Sequence, residues 1–192
     1  RVATVLARVL ADLVGPDNLL VLITDTDEED YAHWFPDWVT RFNMSRIVSN
    51  VAPEQRPRCY LDVLRGVGCR TLVNVHSRLG WETLSSYGRQ MTQEMRLVTY
   101  LFTWDENPEG ARVGYPVQWL RDTADHHDLI LTDNRRLADD VAARFGLDGR
   151  AIATQVPVGE VPRARRQARG EGRPRILWAG RFDRQKRVDI LV

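Results

Sequence analysis

A glycine and two cations follow one apolar strand near the end of the sequence. In Ile176-Leu177-Trp178-Ala179-Gly180-Arg181-Phe182-Asp183-Arg184-Gln185-Lys186-Arg187-Val188-Asp189, the strand delivers the chain to Gly180, where the missing side chain lets backbone approach a ligand. Arg181 comes next, and Lys186 stands five residues later beside a helix start. Amide groups and the dipole at a helix N-terminus attract an anion, and two fixed cations add to that field. Arginine grips phosphate oxygens in a fork, whereas lysine acts as a mobile point charge. A diphosphate suits the arrangement. The same pattern also describes an ordinary exposed turn between a strand and a helix, and spacing alone leaves both readings open.

A second candidate is His76, directly after the strand read over Thr71 to Val75. Ligands of parallel α/β sheets collect at the carboxyl ends of strands, and a neutral imidazole both donates and accepts hydrogen bonds. His76 therefore suits a hydroxyl-bearing substrate, with loop anchoring as the plainer role. Leu131-Thr132-Asp133-Asn134 also ends a strand, and there Asp133 is expected to cap the next helix.

Other groups point less clearly to chemistry. Asp25-Thr26-Asp27 has Asp-x-Asp spacing, yet the acidity continues to Asp30 and reads as a solvated run, so no metal site is expected. In His126-His127-Asp128, adjacent residues on a helix would point apart, which suits surface or packing roles. Trp34, Phe35, Trp38 and Phe42 sit at helical spacing and are expected in the core rather than as a sugar platform. The polar loop from Trp104 to Gly110 follows a strand and offers carboxylates to an acceptor.

The segment around Gly180 resembles the first strand–loop–helix of the C-terminal domain in GT-B glycosyltransferases of family 4. Gly180, Arg181, Lys186 and the apolar run Val188 to Val192 match that family's pattern position by position, over about twenty residues. The resemblance implies that Gly180, Arg181 and Lys186 bind the diphosphate of a nucleotide-sugar donor. Arg181 and Lys186 would then stabilise the departing nucleotide without a bound metal, and the anomeric configuration would be retained. His76 resembles the family's acceptor-side histidine, which lines the cleft near the sugar being transferred. Gln155-Val156-Pro157-Val158-Gly159 stands where family members often carry an Asn-Gly pair, a departure that leaves no basis for a contact made by that pair.

The function implied is sugar transfer from a nucleotide-diphosphate donor to a hydroxyl of a glycan, lipid or small molecule, with no permanently bound cofactor. Catalysis falls to His76, Arg181 and Lys186. Two alternatives share the sequence features: a nucleotide-sugar epimerase of the same fold, and a non-catalytic α/β binding module. The family's glycine-rich loop is not seen, and its two-glutamate motif would lie beyond Val192, so the 192 residues are expected to be inactive alone.

Composition narrows the setting. Hydrophobic residues make up 43% and charged residues 28%, an ordinary globular mixture that excludes disorder and fibrous classes. Lys and Arg number 27 against 26 Asp and Glu, so no nucleic-acid partner is expected. Cys59 and Cys69 lack zinc-site spacing and suit a reducing cytosol. No apolar run reaches membrane-spanning length. A cytoplasmic enzyme is expected, with peripheral contact at the inner membrane face left open.

The elements that must position these residues alternate. Helical stripes carry Val5 to Leu13, Tyr60 to Leu64, Trp81 to Met95 and Leu137 to Phe145. Apolar strands lie at Leu19 to Ile23, Thr71 to Val75, Leu97 to Phe102, Leu129 to Leu131 and Ile152 to Val156. The pattern predicts an α/β, Rossmann-like parallel sheet with helices on both faces. Residues 1–158 form a partial N-terminal, acceptor-side domain on this reading. An Arg/Gly/Pro-rich linker occupies 159–174, an exposed tether whose charge also suits anionic lipid. A truncated nucleotide-sugar-binding domain starts at 175–192. The opening stripe and the uncapped final helix suggest a piece of a longer protein.

Overall fold

The computed structural model describes residues 2–26, 32–147 and 149–153. The first helix, α1 (Val2–Val14), ends where Gly15 turns to a positive φ of 85° and Pro16 follows. Strand β1 (Leu20–Ile23) pairs in parallel with β2 (Thr40–Asn43), and a short α2 (Ser45–Val48) comes next. Helix α3 (Arg56–Gly66) carries Pro57 in its first turn, where a missing N–H costs nothing. It leads to β3 (Thr71–Val75), α4 (Arg78–Met91) and β4 (Arg96–Leu101). A small antiparallel hairpin, β5 (Asp105–Glu106) and β6 (Arg112–Val113), precedes α5 (Tyr115–Thr123). Strand β7 (Leu129–Thr132), α6 (Arg135–Phe145) and β8 (Ala151–Ala153) follow.

The main sheet runs β3-β4-β7-β8, all parallel. The chain is thus α/β with a helix-flanked parallel sheet, as the alternation predicts. Its two faces are unequal, however. Leu72, Asn74, Leu97, Thr99, Leu101, Ile130 and Thr132 are buried, whereas on the other face Val73, Val75, Val98, Leu129 and Leu131 are half-buried and Tyr100 is buried. Connections between parallel strands are right-handed, and the sheet grows in one direction from β3 to β8, so successive crossover helices fall on the same side.

That side holds the core. Trp81 of α4 stacks on Trp119 of α5 with ring planes 9° apart and centroids 6.3 Å apart. Leu61 and Leu64 from α3, Leu84 from α4, Leu120 from α5 and Val141 from α6 complete it, all essentially without exposed surface. Each such side chain contributes roughly 1.5–3 kcal/mol by leaving water.

Two helical readings need correction. Trp34, Phe35, Trp38 and Phe42 do not form a helix: Trp34 ends a single 3-10 turn (Ala32–Trp34) and Phe42 lies in β2. Trp34, Trp38 and Phe42 are exposed rather than core. Pro36 instead accepts a turn hydrogen bond from Val39, and Val39 is the residue buried there. In α1 the buried face is Thr4, Ala7 and Ala11, with Val9 and Leu13 outward. No helix among the described residues is long and apolar enough to cross a membrane.

Candidate functional site

The end of β3 is where local structure departs from regularity. Val75 completes the strand, Ser77 is the N-cap of α4, and His76 between them has φ 59°. Among the described residues His76 is the one non-glycine with positive φ. Left-handed backbone costs an L-residue roughly 1–2 kcal/mol, so the surroundings must hold it there.

Two aromatic rings flank the imidazole. Tyr115 lies 4.8 Å away between centroids, tilted by 40°, and Phe102 lies 5.8 Å away, edge-on. Phe102 follows β4 directly. Tyr115 is the first residue of α5, delivered by Gly114 at φ 91° with Pro116 in the first turn. Gly114 is required there twice over, because a Cβ would also stand 2.6 Å from Asp105 Oδ2. His76 itself is exposed, so the rings form a wall beside an open imidazole.

A polar network holds the other side. Asn74 Oδ1 accepts from the Ser77 amide at 3.2 Å, and Ser77 Oγ accepts from the Gly80 amide at 2.9 Å. Asp25, just past β1, accepts from the Arg78 amide at 3.1 Å and from Thr24 Oγ1 at 3.0 Å. The hydroxyls of Thr24 and Ser77 are 2.6 Å apart. Among the described residues no ladder joins β1 to β3; these side chains bring their carboxyl ends together instead. After β1 the chain goes to β2, and after β3 it goes to β4. His76 therefore sits at the carboxyl end of β3, beside the residues that follow β1, the end of parallel strands where ligands gather.

The electrostatics are mixed. Arg78 pairs with Glu82 at 2.8 Å, and that hydrogen bond holds the guanidinium pKa above its usual value. Burial raises the Tyr115 phenol, and the nearby Asp25 carboxylate raises it further, so Tyr115 is a neutral donor at neutral pH. The start of α4 is not an open phosphate cradle, since Asn74, Asp25 and Ser77 already accept from the Ser77, Arg78 and Gly80 amides.

Beside this site the hairpin is tied down. Trp104 Nε1 donates to Asp140 Oδ2 at 2.7 Å, Arg112 pairs with the same oxygen at 2.6 Å, and the Arg112 guanidinium lies over the Trp104 ring. Asp105, Glu106 and Arg112 thereby become part of a short ladder, within what the sequence presents only as a polar loop.

Gly180, Arg181 and Lys186 lie outside the described residues, as do the linker at 159–174 and the region 175–192. Asn134, not Asp133, caps α6: its Oδ1 accepts from the Leu137 amide at 2.8 Å, while Asp133 accepts from the Asn134 side chain. Asp27 is outside the described residues, and among those described no three His, Cys, Asp or Glu side chains group as metal ligands. His127 is buried, with its ring nitrogens 3.2 Å from Thr99 Oγ1 and 3.4 Å from Thr123 Oγ1. It packs, as expected.

Tyr115 and Phe102 are the residues of this candidate site that sequence reasoning missed, and Asp25, read there as a solvated carboxylate, instead holds the first turn of α4. Gly114-Tyr115-Pro116 is a legible helix start, with proline in the first turn, and would have placed Tyr115 at a helix tip. Comparison with known protein families, curated proteins and solved structures found no match to this chain.

Proposed function

We propose that the chain belongs to a retaining, GT-B, family-4-like glycosyltransferase that moves a sugar from a nucleotide-diphosphate donor to a hydroxyl of a glycan, lipid or small molecule. The observation that carries this reading is His76: an exposed imidazole in left-handed backbone, at the carboxyl end of a parallel strand, against Tyr115 and Phe102. A strained residue at a strand mouth is a mark of a working site, and aromatic faces beside a hydrogen-bonding group suit a sugar. In this role His76 hydrogen-bonds a hydroxyl of the transferred sugar or the acceptor.

Leaving-group stabilisation falls to Arg181 and Lys186, on the resemblance of their segment to the family's donor loop. Fixed cations wait where the phosphate gains negative charge in the transition state, an electrostatic mechanism that needs no proton transfer to the nucleotide. The test is calorimetric titration with nucleoside diphosphates (UDP, GDP and ADP) of the intact polypeptide carrying this chain, unaltered and as Arg181→Ala and Lys186→Ala. Either substitution is expected to weaken binding about tenfold or more, the loss of a charge-assisted phosphate contact. Equal affinity in all three proteins would remove the donor-site assignment.

A further inference from the structure

We infer that Asp25 is a positioning residue for His76, holding the imidazole in the mouth of the sheet through the first turn of α4. The geometry is specific. One oxygen of the Asp25 carboxylate, Oδ2, accepts both the Arg78 amide and the Thr24 hydroxyl. Thr24 in turn meets Ser77, the residue that follows His76 and caps α4. The His76 backbone is thus fixed on one side by the β3 ladder, through Val75 paired to Tyr100, and on the other by a cap that β1 supplies. A carboxylate at the positive end of a 14-residue helix is also favourably placed for the dipole.

Sequence distance makes this more than local capping. Asp25 lies 53 residues before Arg78, so the contact exists only when β1 and β3 have come together. The first turn of α4 therefore reports whether the two strands are assembled, and the left-handed turn at His76 depends on that report. The relevance to sugar transfer rests on the glycosyltransferase reading; the positioning itself does not.

Nuclear magnetic resonance of the histidine rings tests it in the 192-residue protein, which has four histidines. His76 lies against two aromatic rings, so its ring protons carry ring-current displacements, and buried His127 beside Trp81 provides an internal control. Asp25→Ala is expected to collapse the His76 displacements while those of His127 persist. Asp25→Asn, which keeps an acceptor oxygen, should retain both. Thr24→Val, a milder change, should shift the His76 signals in the same direction as Asp25→Ala and serves if the alanine variant does not fold. His76 signals unchanged in Asp25→Ala, or in Thr24→Val where the alanine variant is unfolded, would overturn the inference. So would equal displacement of His76 and His127, which marks a general loosening. Nucleotide affinity is a separate readout, so failure here and failure of the glycosyltransferase reading are distinguishable.

Discussion

The hydroxyls of Thr24 and Ser77 lie 2.6 Å apart, joining the end of the first strand to the cap of the helix that follows the third. Ser77 serves two partners, because its oxygen also accepts from the Gly80 amide. Ser77→Ala removes both contacts and is expected to cost about 1–2 kcal/mol, at the upper end for an N-cap. Urea unfolding measures this, and Ser77→Thr, which keeps the hydroxyl, should recover most of the loss.

Gly80 meets the same network from inside the helix. A Cβ there would stand 2.7 Å from Asn74 Oδ1, and Asn74 is buried and bonded to Ser77. Glycine to alanine in a helix ordinarily stabilises by up to about 1 kcal/mol. Here the clash outweighs that gain, and Gly80→Ala is expected to destabilise by about 1–3 kcal/mol, the usual cost of overpacking. A raised melting temperature would contradict the packing.

His127 sets the response to acid. Burial pushes its pKa down from 6.5 to about 4, with His126 and Arg150 acting the same way and Asp128 against them. The unfolded chain then binds a proton that the folded protein refuses. The contribution of His127 to stability is full above pH 6.5, declines as pH falls from 6.5 to about 4, and changes no further below that. The total is about 3 kcal/mol, because each tenfold change in proton affinity is worth roughly 1.4 kcal/mol. Urea midpoints at pH 7 and pH 4.5 measure it, and His127→Gln should flatten the difference between them.

Asp140 anchors the hairpin beside the site. Asp140→Ala takes the acceptor from Trp104 Nε1 and the counter-ion from Arg112. Because the Arg112–Asp140 pair is more than a third exposed, its charge adds little, and the loss should be about 1 kcal/mol, chiefly the Trp104 hydrogen bond. The sharper readout is amide exchange: Glu106 and Arg112, paired across the hairpin, should lose protection while β4 keeps it.

Much of the framework is legible in the sequence because its signals are local. Thr71 to Val75 is read with its observed bounds, and Gly15-Pro16 and Gly146 end their helices as punctuation predicts. The failures share a physical cause. Trp34, Trp38 and Phe42 have helical spacing, yet the chain folds into a turn and a strand and leaves them exposed, which no single-segment pattern reveals. Asp25 looks like one more solvated carboxylate until β1 and β3 meet. His76 could be placed at a strand end, but its left-handed backbone and its aromatic wall come from three elements distant in sequence.

Sugar turnover from a panel of nucleotide sugars, by the intact polypeptide carrying this chain, tests the proposed function most directly. The unaltered enzyme is compared with His76→Ala and Arg181→Ala. It is expected to consume at least one donor, and Arg181→Ala to lower kcat about a hundredfold or more, the usual loss of a transition-state charge contact. A clear loss is expected for His76→Ala as well. Turnover by both variants at the unaltered rate would contradict the assignment.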